Sequence, residues 1–502
     1  MTLEKLLMQA ETFLQNVSGA LDIEIQGLAY DSRKVGPGFL FFALPGELAH
    51  GQAYVEQAVQ RGAVAVLSDK LIDVPGVASL QSDQPRLAMA HLAVAFHRKP
   101  AEKLKVVGVT GTNGKTTVAY LVRQLVARQW HRVGMIGTVG YEIAGRRIPS
   151  SRTTPESVDL QALIAEMRNE GCRALVMEVS SHALVQQRVA GLAFDVGIFT
   201  NLSQDHLDFH GTMEKYFEAK LKLFEMLQSP DRGGVAVVHA DGRWGEKLTD
   251  LIQRRGLSLL RYGQSLSCDF RVTDVKMDFS GTRYALHAQG RQYLVRLPLI
   301  GRFNVANSVA ALAAVHAMGL NLRQAIQDLA EAEAVPGRLQ LVPAKKAFKV
   351  FVDYAHTPDA LVNVLRTLRE LNPARIITIF GCGGERDKAK RVPMGRAVDE
   401  LSDYAIITSD NPRGEEPQEI IRMIEGAMTV GRFESIEDRR EAIFRGVAMA
   451  EARDIVLIAG KGHETYQQFS DRTLPFDDVH VALWALGQPK EPEEGEEHFA
   501  NY

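Results

Sequence analysis

Residues 106–117 read V-V-G-V-T-G-T-N-G-K-T-T, an apolar run that turns through closely spaced glycines into Lys115, Thr116 and Thr117. The apolar part has the β-branched content of a buried strand, and residues 115–129 then take helical spacing. A glycine-rich turn between strand and helix aims backbone N–H groups and the positive helix end at phosphate oxygens. Lys115 would neutralise charge between the terminal phosphates, and the Thr116 hydroxyl would sit on Mg²⁺. The loop is a variant, because G-x-x-x-x-G-K-[ST] asks for glycine where Val109 stands and Gly111 falls two residues later. Strand, loop, lysine and threonine in this order predict an ATP phosphate site formed by Gly111, Thr112, Asn113, Gly114, Lys115, Thr116 and Thr117.

Outward from that loop the alternation continues. Apolar runs at 133–136, 174–179, 194–199 and 234–239 are separated by helical stretches at 157–170 and 212–227. Strands alternating with helices predict a doubly wound, mainly parallel sheet. Residues 268–299 break the rhythm with three β-rich runs around Ser280-Gly281 and Gly290, which predicts an added antiparallel meander, followed by two helices. After Pro336-Gly337 strands are expected at 348–352, 375–380, 404–408 and 454–459, with helices at 358–371, 416–428 and 436–451. The first hundred residues alternate short apolar runs such as 38–44 and 63–67 with turns, and close on the charged stretch 97–105. The fold class is therefore α/β in three domains. These are a small N-terminal α/β domain (1–103), a central P-loop domain (104–335) and a C-terminal Rossmann-like domain (336–502).

A length of 502 residues suits about three domains at roughly 150 residues each. With 46% hydrophobic and 24% charged residues the chain is neither fibrous nor disordered. Fifty-eight basic against 61 acidic side chains give a net charge of −3, so no global attraction to nucleic acid or anionic membrane is expected. Cys172, Cys268 and Cys382 lack C-x-x-C spacing, which supports neither a disulfide framework nor a zinc site and fits a reducing cytoplasm. The N-terminus has no basic region before an apolar stretch, so no secretory signal is read there. The uncharged run 303–322 approaches membrane-span length, but Asn304, Asn307, Ser308, His316 and Asn321 predict a helix packed inside a soluble domain. From Pro489 the chain is acidic and Pro/Gly-interrupted, expected as a solvated tail.

M-E-V-S-S-H puts Glu178 near a strand end, and T-N-L-S-Q-D-H-L-D puts His206 after the next strand. In an open α/β sheet the ligand crevice lies beyond the carboxyl ends of the strands, so both residues are expected beside Lys115, where they could serve Mg²⁺. Taken singly, each reads more readily as a cap or a satisfied polar group; their shared placement beside Lys115 reverses that preference. Lys220 lies on a helix whose stripe is Tyr216, Phe217, Leu221 and Phe224; spacing alone makes it an ordinary, partly solvated lysine. In the third domain D-Y-A-H-T-P, G-C-G-G-E-R-D, S-D-N-P-R and G-K-G-H-E each follow an expected strand, as ligand-contacting loops do.

Taken in order, T-G-T-N-G-K-T-T, T-T-P-E, M-E-V-S-S-H-A-L, N-L-S-Q-D-H-L-D, E-A-K, G-x-F-N-x-x-N, P-G-R, D-Y-A-H-T-P, D-N-P-R and G-K-G-H-E resemble the motif set of the Mur ligases from about residue 31 to 464. The resemblance implies ATP-dependent amide synthesis in cytoplasmic peptidoglycan assembly. UDP-N-acetylmuramoyl-L-alanyl-D-glutamate would be the acceptor and meso-2,6-diaminopimelate the amine, joined through an acyl phosphate. An L-lysine-adding or muropeptide-recycling member is the alternative. Carried onto this sequence, the resemblance makes Lys115, Glu178, His206 and Lys220 catalytic. Mg²⁺ would be held by Thr116, Glu178, His206 and Lys220, the last as a CO₂-derived carbamate. Asn304, Arg338, Asp353 and His356 would attend the nucleotide. The muramoyl peptide would meet Ser32, Thr153, Thr154, Ser180, Gln186 and Arg188. The amino acid would meet Arg386 and the D-N-P-R loop, Asp410, Asn411, Pro412 and Arg413, together with Gly460 and Glu464. A monomer with no nucleic-acid partner and no membrane span is expected.

Overall fold

A computed structural model describes residues 1–488 except 11, 13, 47–49, 151, 230–231 and 430. The acidic segment from Pro489 lies outside the described residues. The chain divides into two compact units, one of Met1–Thr273, Ala285–Tyr293 and Ala306–Leu329, the other of Asp274–Tyr284, Leu294–Val305 and the chain from Ala330 onward.

The strand Lys105–Thr110 is buried on both faces, with Val106, Val107 and Val109 wholly inaccessible, which is why it reads as an unbroken apolar run. Across the sheet the parallel order is Ser258–Gly263, Val235–His239, Val196–Phe199, Lys105–Thr110, Ala174–Glu178 and Val133–Gly137. The first of these strands in the chain is thus internal, and the crossovers that follow it lead to opposite sides. That is the switch point where an open α/β sheet leaves a crevice. Register sets Glu178 opposite Val109 and Phe199 opposite Thr110, so the residues after both neighbours emerge beside the glycine loop.

The expected meander is present as Phe270–Asp278, Gly281–Ala288 and Arg291–Leu297, and its first strand pairs with Ser258–Gly263 in parallel. At the other edge a hairpin ladder, Gly140–Ile143 with Arg146–Ile148, extends the sheet antiparallel to Val133–Gly137. No strand was expected there, because short edge strands bearing Arg146 and Arg147 lack an apolar run. The helix Arg243–Arg254 and the strand Ser258–Gly263 were also unforeseen. Only Leu248 and Ile252 of that helix's large apolar side chains are fully buried, and Arg261 interrupts the strand.

The N-terminal sheet runs Asn16–Ser18, Ala78–Gln81, Ala63–Ser68, Phe39–Ala43, Gly27–Ala29, with Leu40, Phe42, Leu67 and Leu80 in a core shared with Leu92 of the helix Pro85–Phe96. In the second unit the order is Gln340–Leu341, Lys349–Asp353, Ile455–Ala459, Ile376–Phe380, Tyr404–Ile407, Arg432–Ser435, parallel from Lys349–Asp353 onward. The four polar loops singled out in the sequence all follow the carboxyl ends of these strands. The run 303–322 forms most of the helix Arg302–Ala317, buried from Val309 to Val315. Among the described residues no helix is long and apolar enough to cross a membrane.

Candidate functional site

The glycine loop is held open by contacts that leave no room for side chains. Gly114 has φ +86° and precedes the helix Lys115–Trp130; a Cβ there would lie 2.4 Å from Asn307 Oδ1. A Cβ at Gly111 would lie 1.9 Å from Thr200 Oγ1. The loop is strapped to the segment after Val196–Phe199. Thr112 N donates to Asn201 O (3.0 Å), Asn113 N to Asn201 Oδ1 (2.9 Å), and Thr200 Oγ1 to Asn113 O (2.6 Å). Lys115 Nζ curls back onto the carbonyls of Gly111 (3.0 Å) and Thr112 (2.9 Å), so its charge stands over the loop.

Glu178 is buried and gathers three donors: Thr116 Oγ1 (3.0 Å), Thr138 N (2.8 Å) and Thr138 Oγ1 (3.2 Å). Thr138 went unnoticed in the sequence because no motif surrounds it; only the pairing of Val133–Gly137 with Ala174–Glu178 brings it here. Its hydroxyl also meets Thr153 Oγ1 at 3.0 Å.

Lys220 corrects the expectation of a partly solvated side chain, since it is 2% exposed. Its Nζ donates to Gly111 O at 2.9 Å and lies 4.4 Å from the centre of the Tyr216 ring. Burial first, and then the positive charge of Lys115, hold its ammonium well below the ordinary lysine range. The sequence did contain the signal: Lys220 is four residues from Tyr216 and four from Phe224, on the helix Met213–Glu225 whose buried stripe it shares.

His206 has φ +53° and stands edge-on to His182, with ring centres 4.9 Å apart. His210 stacks on Tyr216 at 4.8 Å and meets Ser181 Oγ through Nε2 at 2.9 Å. Burial lowers the titration of all three imidazoles, that of His210 to about 4, so they are neutral near pH 7. His182 and His210 were not singled out in the sequence, although His210 follows His206 by one helical turn.

A hard cation needs mostly oxygen ligands. Thr116 and Glu178 supply them and His206 a neutral nitrogen, but an amine at Lys220 supplies none. Among the described residues no cluster of three or more His, Cys, Asp or Glu suits a metal. The donor set would fit Mg²⁺ if Lys220 bore an anionic oxygen group, a change that burial of its ammonium favours.

Beside this, Thr154 Oγ1 donates to Glu178 O (2.9 Å) and accepts from Ser180 N (3.1 Å), while Arg188 Nη1 donates to Thr154 O (3.0 Å). Arg188 also reaches Gln186 Oε1 at 2.5 Å and pairs with Glu156 at 3.1 Å. Thr153, Thr154, Ser180, Gln186 and Arg188 are thus joined to Glu178 in one network. Ser32 is placed elsewhere, on Gln57 Oε1 at 2.6 Å.

In the second unit Asp353 is buried and accepts from Leu339 N (2.5 Å) and Ala355 N (2.8 Å). Burial pushes its carboxyl up to about 6 against the pull of Arg338. Arg338 lies over the Tyr354 ring at 4.6 Å, and His356 Nδ1 meets Tyr354 O at 2.7 Å. Asn304 Nδ2 donates to Ile300 O at 2.8 Å.

Asn411 has its amide pinned. Its Oδ1 accepts from Lys461 Nζ (2.9 Å) and Gln468 N (3.0 Å), and its Nδ2 donates to Glu464 Oε2 (2.8 Å). Gly460 (φ +117°) packs against Asp410, whose Oδ2 a Cβ would meet at 2.6 Å. Pro412 O faces Gly384, where a Cβ would come within 1.9 Å. Arg413 has φ +52° and donates through Nη1 to Gly384 O at 2.8 Å. Arg386 is exposed. Lys461, wholly buried at the centre of this network, was missed because G-K-G-H-E was read only for Gly460 and Glu464.

The chain matches the Mur ligase family catalytic domain over residues 24–107, the Mur ligase middle domain over 109–315, and the Mur ligase glutamate ligase domain over 337–462. It is 40% identical over 475 residues, 94% of this chain and 97% of the relative, to the UDP-N-acetylmuramoyl-L-alanyl-D-glutamate--2,6-diaminopimelate ligase of Caldanaerobacter subterraneus subsp. tengcongensis. It is 45% identical to the ligase of that name from Solibacter usitatus, covering 92% of this chain and 94% of the relative. A solved structure bearing the same name superposes with a TM-score of 0.70 at 32% identity, over 97% of this chain and 99% of that one.

Proposed function

This chain belongs to the Mur ligase family, and on that premise we propose that it joins diaminopimelate to the γ-carboxylate of D-glutamate in UDP-N-acetylmuramoyl-L-alanyl-D-glutamate, at the expense of ATP. The observation carrying this reading is the convergence of Lys115, Thr116, Glu178 and buried Lys220 on the glycine loop. ATP gives its γ-phosphoryl group to the carboxylate. The amine attacks the acyl phosphate, loses a proton, and phosphate departs, leaving ADP and a new amide.

Each residue has work within that scheme. The loop N–H groups and Lys115 bind phosphate oxygens and offset repulsion between two polyanions as charge spreads over the transferring group. Lys220, whose ammonium is destabilised by burial, loses one proton to become an amine and a second on adding CO₂ at Nζ, so that a cation becomes an anion with two protons released. When bound, Mg²⁺ neutralises phosphate charge; Thr116, Glu178, His206 and carbamylated Lys220 are the residues that would hold it. The acceptor peptide is assigned to Thr153, Thr154, Ser180, Gln186 and Arg188, with Ser32 toward its uridine end. The nucleotide is also assigned Asn304, Arg338, Asp353 and His356.

The amino acid is assigned to Arg386, Asp410, Asn411, Pro412, Arg413, Gly460 and Glu464. Arg413, bonded to neutral carbonyls, takes the far carboxylate that distinguishes diaminopimelate from lysine. Residues 1–103, 104–335 and 336–502 would serve the UDP end, ATP and the amino acid respectively.

Measuring ADP formation with acceptor and amine supplied singly and together tests the whole reading. Rapid ADP release without acceptor points to a plain ATPase. Equal use of L-lysine, or a requirement for ready-made tripeptide, points to the alternative ligases.

A further inference from the structure

The peptide group between Gly384 and Glu385 stands between two opposite charges. Its carbonyl accepts from Arg413 Nη1 at 2.8 Å, and its N–H donates to Glu415 Oε1 at 2.6 Å. Arginine and glutamate two positions apart on one turn are natural partners. Here, among the described residues, the Arg413 side chain bonds only to carbonyls, those of Gly384 and, at 3.4 Å, Asn411. Glu415 is turned instead toward Arg391, which meets both its oxygens at 3.0 Å, with Lys388 Nζ at 3.2 Å. The Arg391 side chain is 1% exposed and that of Glu415 16%, so this pair, unlike a surface ion pair, is largely shielded from solvent.

Resting on the reading that Arg413 receives the far carboxylate of the amino acid, we propose that Arg391 is a specificity-determining positioning residue. It holds Glu415 away from Arg413 and leaves that guanidinium's charge for the substrate. Burial alone would raise the Glu415 carboxyl, but the Glu385 N–H and the Arg391 and Lys388 cations bring it down to about 2, so it is an anion at any working pH. An anion tethered two residues from Arg413 would compete at an effective concentration on the order of millimolar, without having to bind from solution. Once released, it would neutralise the site internally, and the advantage of diaminopimelate over lysine would shrink.

Steady-state kinetics with meso-diaminopimelate and L-lysine on the full chain test this. Arg391→Gln is expected to raise the diaminopimelate KM about tenfold at little-changed kcat and to narrow the preference over lysine. Adding Glu415→Gln is expected to bring KM back to within about threefold of wild type. An unaltered KM in Arg391→Gln overturns the proposal, and so does a double variant no better than the single, the result expected of a purely structural arginine. If Arg391→Gln does not fold, Arg391→Lys keeps the charge without the planar guanidinium whose Nη2 meets both Glu415 oxygens and gives the same comparison, with a KM rise of about threefold that Glu415→Gln reverses. Arg413→Ala separates the two levels. An unchanged preference there removes the far-carboxylate reading and this proposal together. A lost preference, with no rescue in the double variant, removes only the role given to Arg391.

Discussion

Lys220 and Lys461 are both buried beside a loop that follows a strand, yet their surroundings differ in sign. Lys461 meets the Asn411 amide oxygen and, at 3.4 Å, Glu464, with the charges of Asp410 and Asp478 also in its favour and only Arg439 against it. Lys220 meets a backbone carbonyl and an aromatic face, with Lys115 repelling it and only Asp205 opposing. Burial lowers both, but a matched cation can stay a cation and fix its neighbours, whereas an unmatched one is driven to the neutral amine and becomes open to modification. Burial of a lysine thus does not by itself assign a role; the neighbouring charges do.

The largest expected effect tests the unmatched cation. Lys220→Ala should lower ligation by at least about 10³-fold, with partial recovery on adding formate or acetate, because an anion is what the cavity lacks. Recovery with small amines instead would reverse the assignment. On the proposed reading Arg413 extends the comparison, as a cation whose anion comes from the substrate. Wild type should favour meso-diaminopimelate over L-lysine by on the order of 10⁴-fold in kcat/KM, and Arg413→Ala should cut that preference about 10²-fold. Lys461→Met probes the matched case. By freeing the Asn411 amide it should raise the amino-acid KM about tenfold, with no response to added carboxylic acids. Carboxylic-acid rescue there would erase the distinction between the two lysines.

The smallest effect is on stability. The Lys220 ammonium is held below its ordinary 10.5, so between the depressed value and 10.5 the unfolded chain binds one more proton than the folded chain. Stability of CO₂-depleted protein should therefore rise with pH across that window, by at most about 1.4 kcal/mol per pH unit from this group. Urea midpoints for wild type and Lys220→Met at a series of pH values give the difference, and a steeper rise in the variant would contradict it.

What could be read beforehand followed the range of the interactions. The glycine loop was legible because its strand, turn, lysine and helix are contiguous. Glu178 at a strand end, and His206 in the segment after the next strand, were legible once a parallel sheet was expected. Lys220 was misread because hydropathy scores a lysine as solvent-facing even at a stripe position. Thr138, and the pairing of Arg391 with Glu415 24 residues away, have no local signature at all. They depend on strand register and on a buried charge finding its counter-charge. The Gly140–Ile143 hairpin escaped for a different reason: Tyr141 and Ile143 reach the core, but as isolated apolar residues flanking Glu142 in a strand too short to show a pattern.

The straps on the glycine loop also set a timetable. Thr116 waits for Glu178, 62 residues further along the chain; the Asn113 carbonyl waits for Thr200, 87 residues on; and the Gly111 carbonyl waits for Lys220, 109 residues on. At a synthesis rate of about 5–20 residues per second, the ribosome delivers that last partner roughly 5–20 s after Gly111. For that interval the nascent segment has the motif without its shape, and a chain released before residue 220 will contain every letter of T-G-T-N-G-K-T-T and still lack the buried amine that closes the loop from behind.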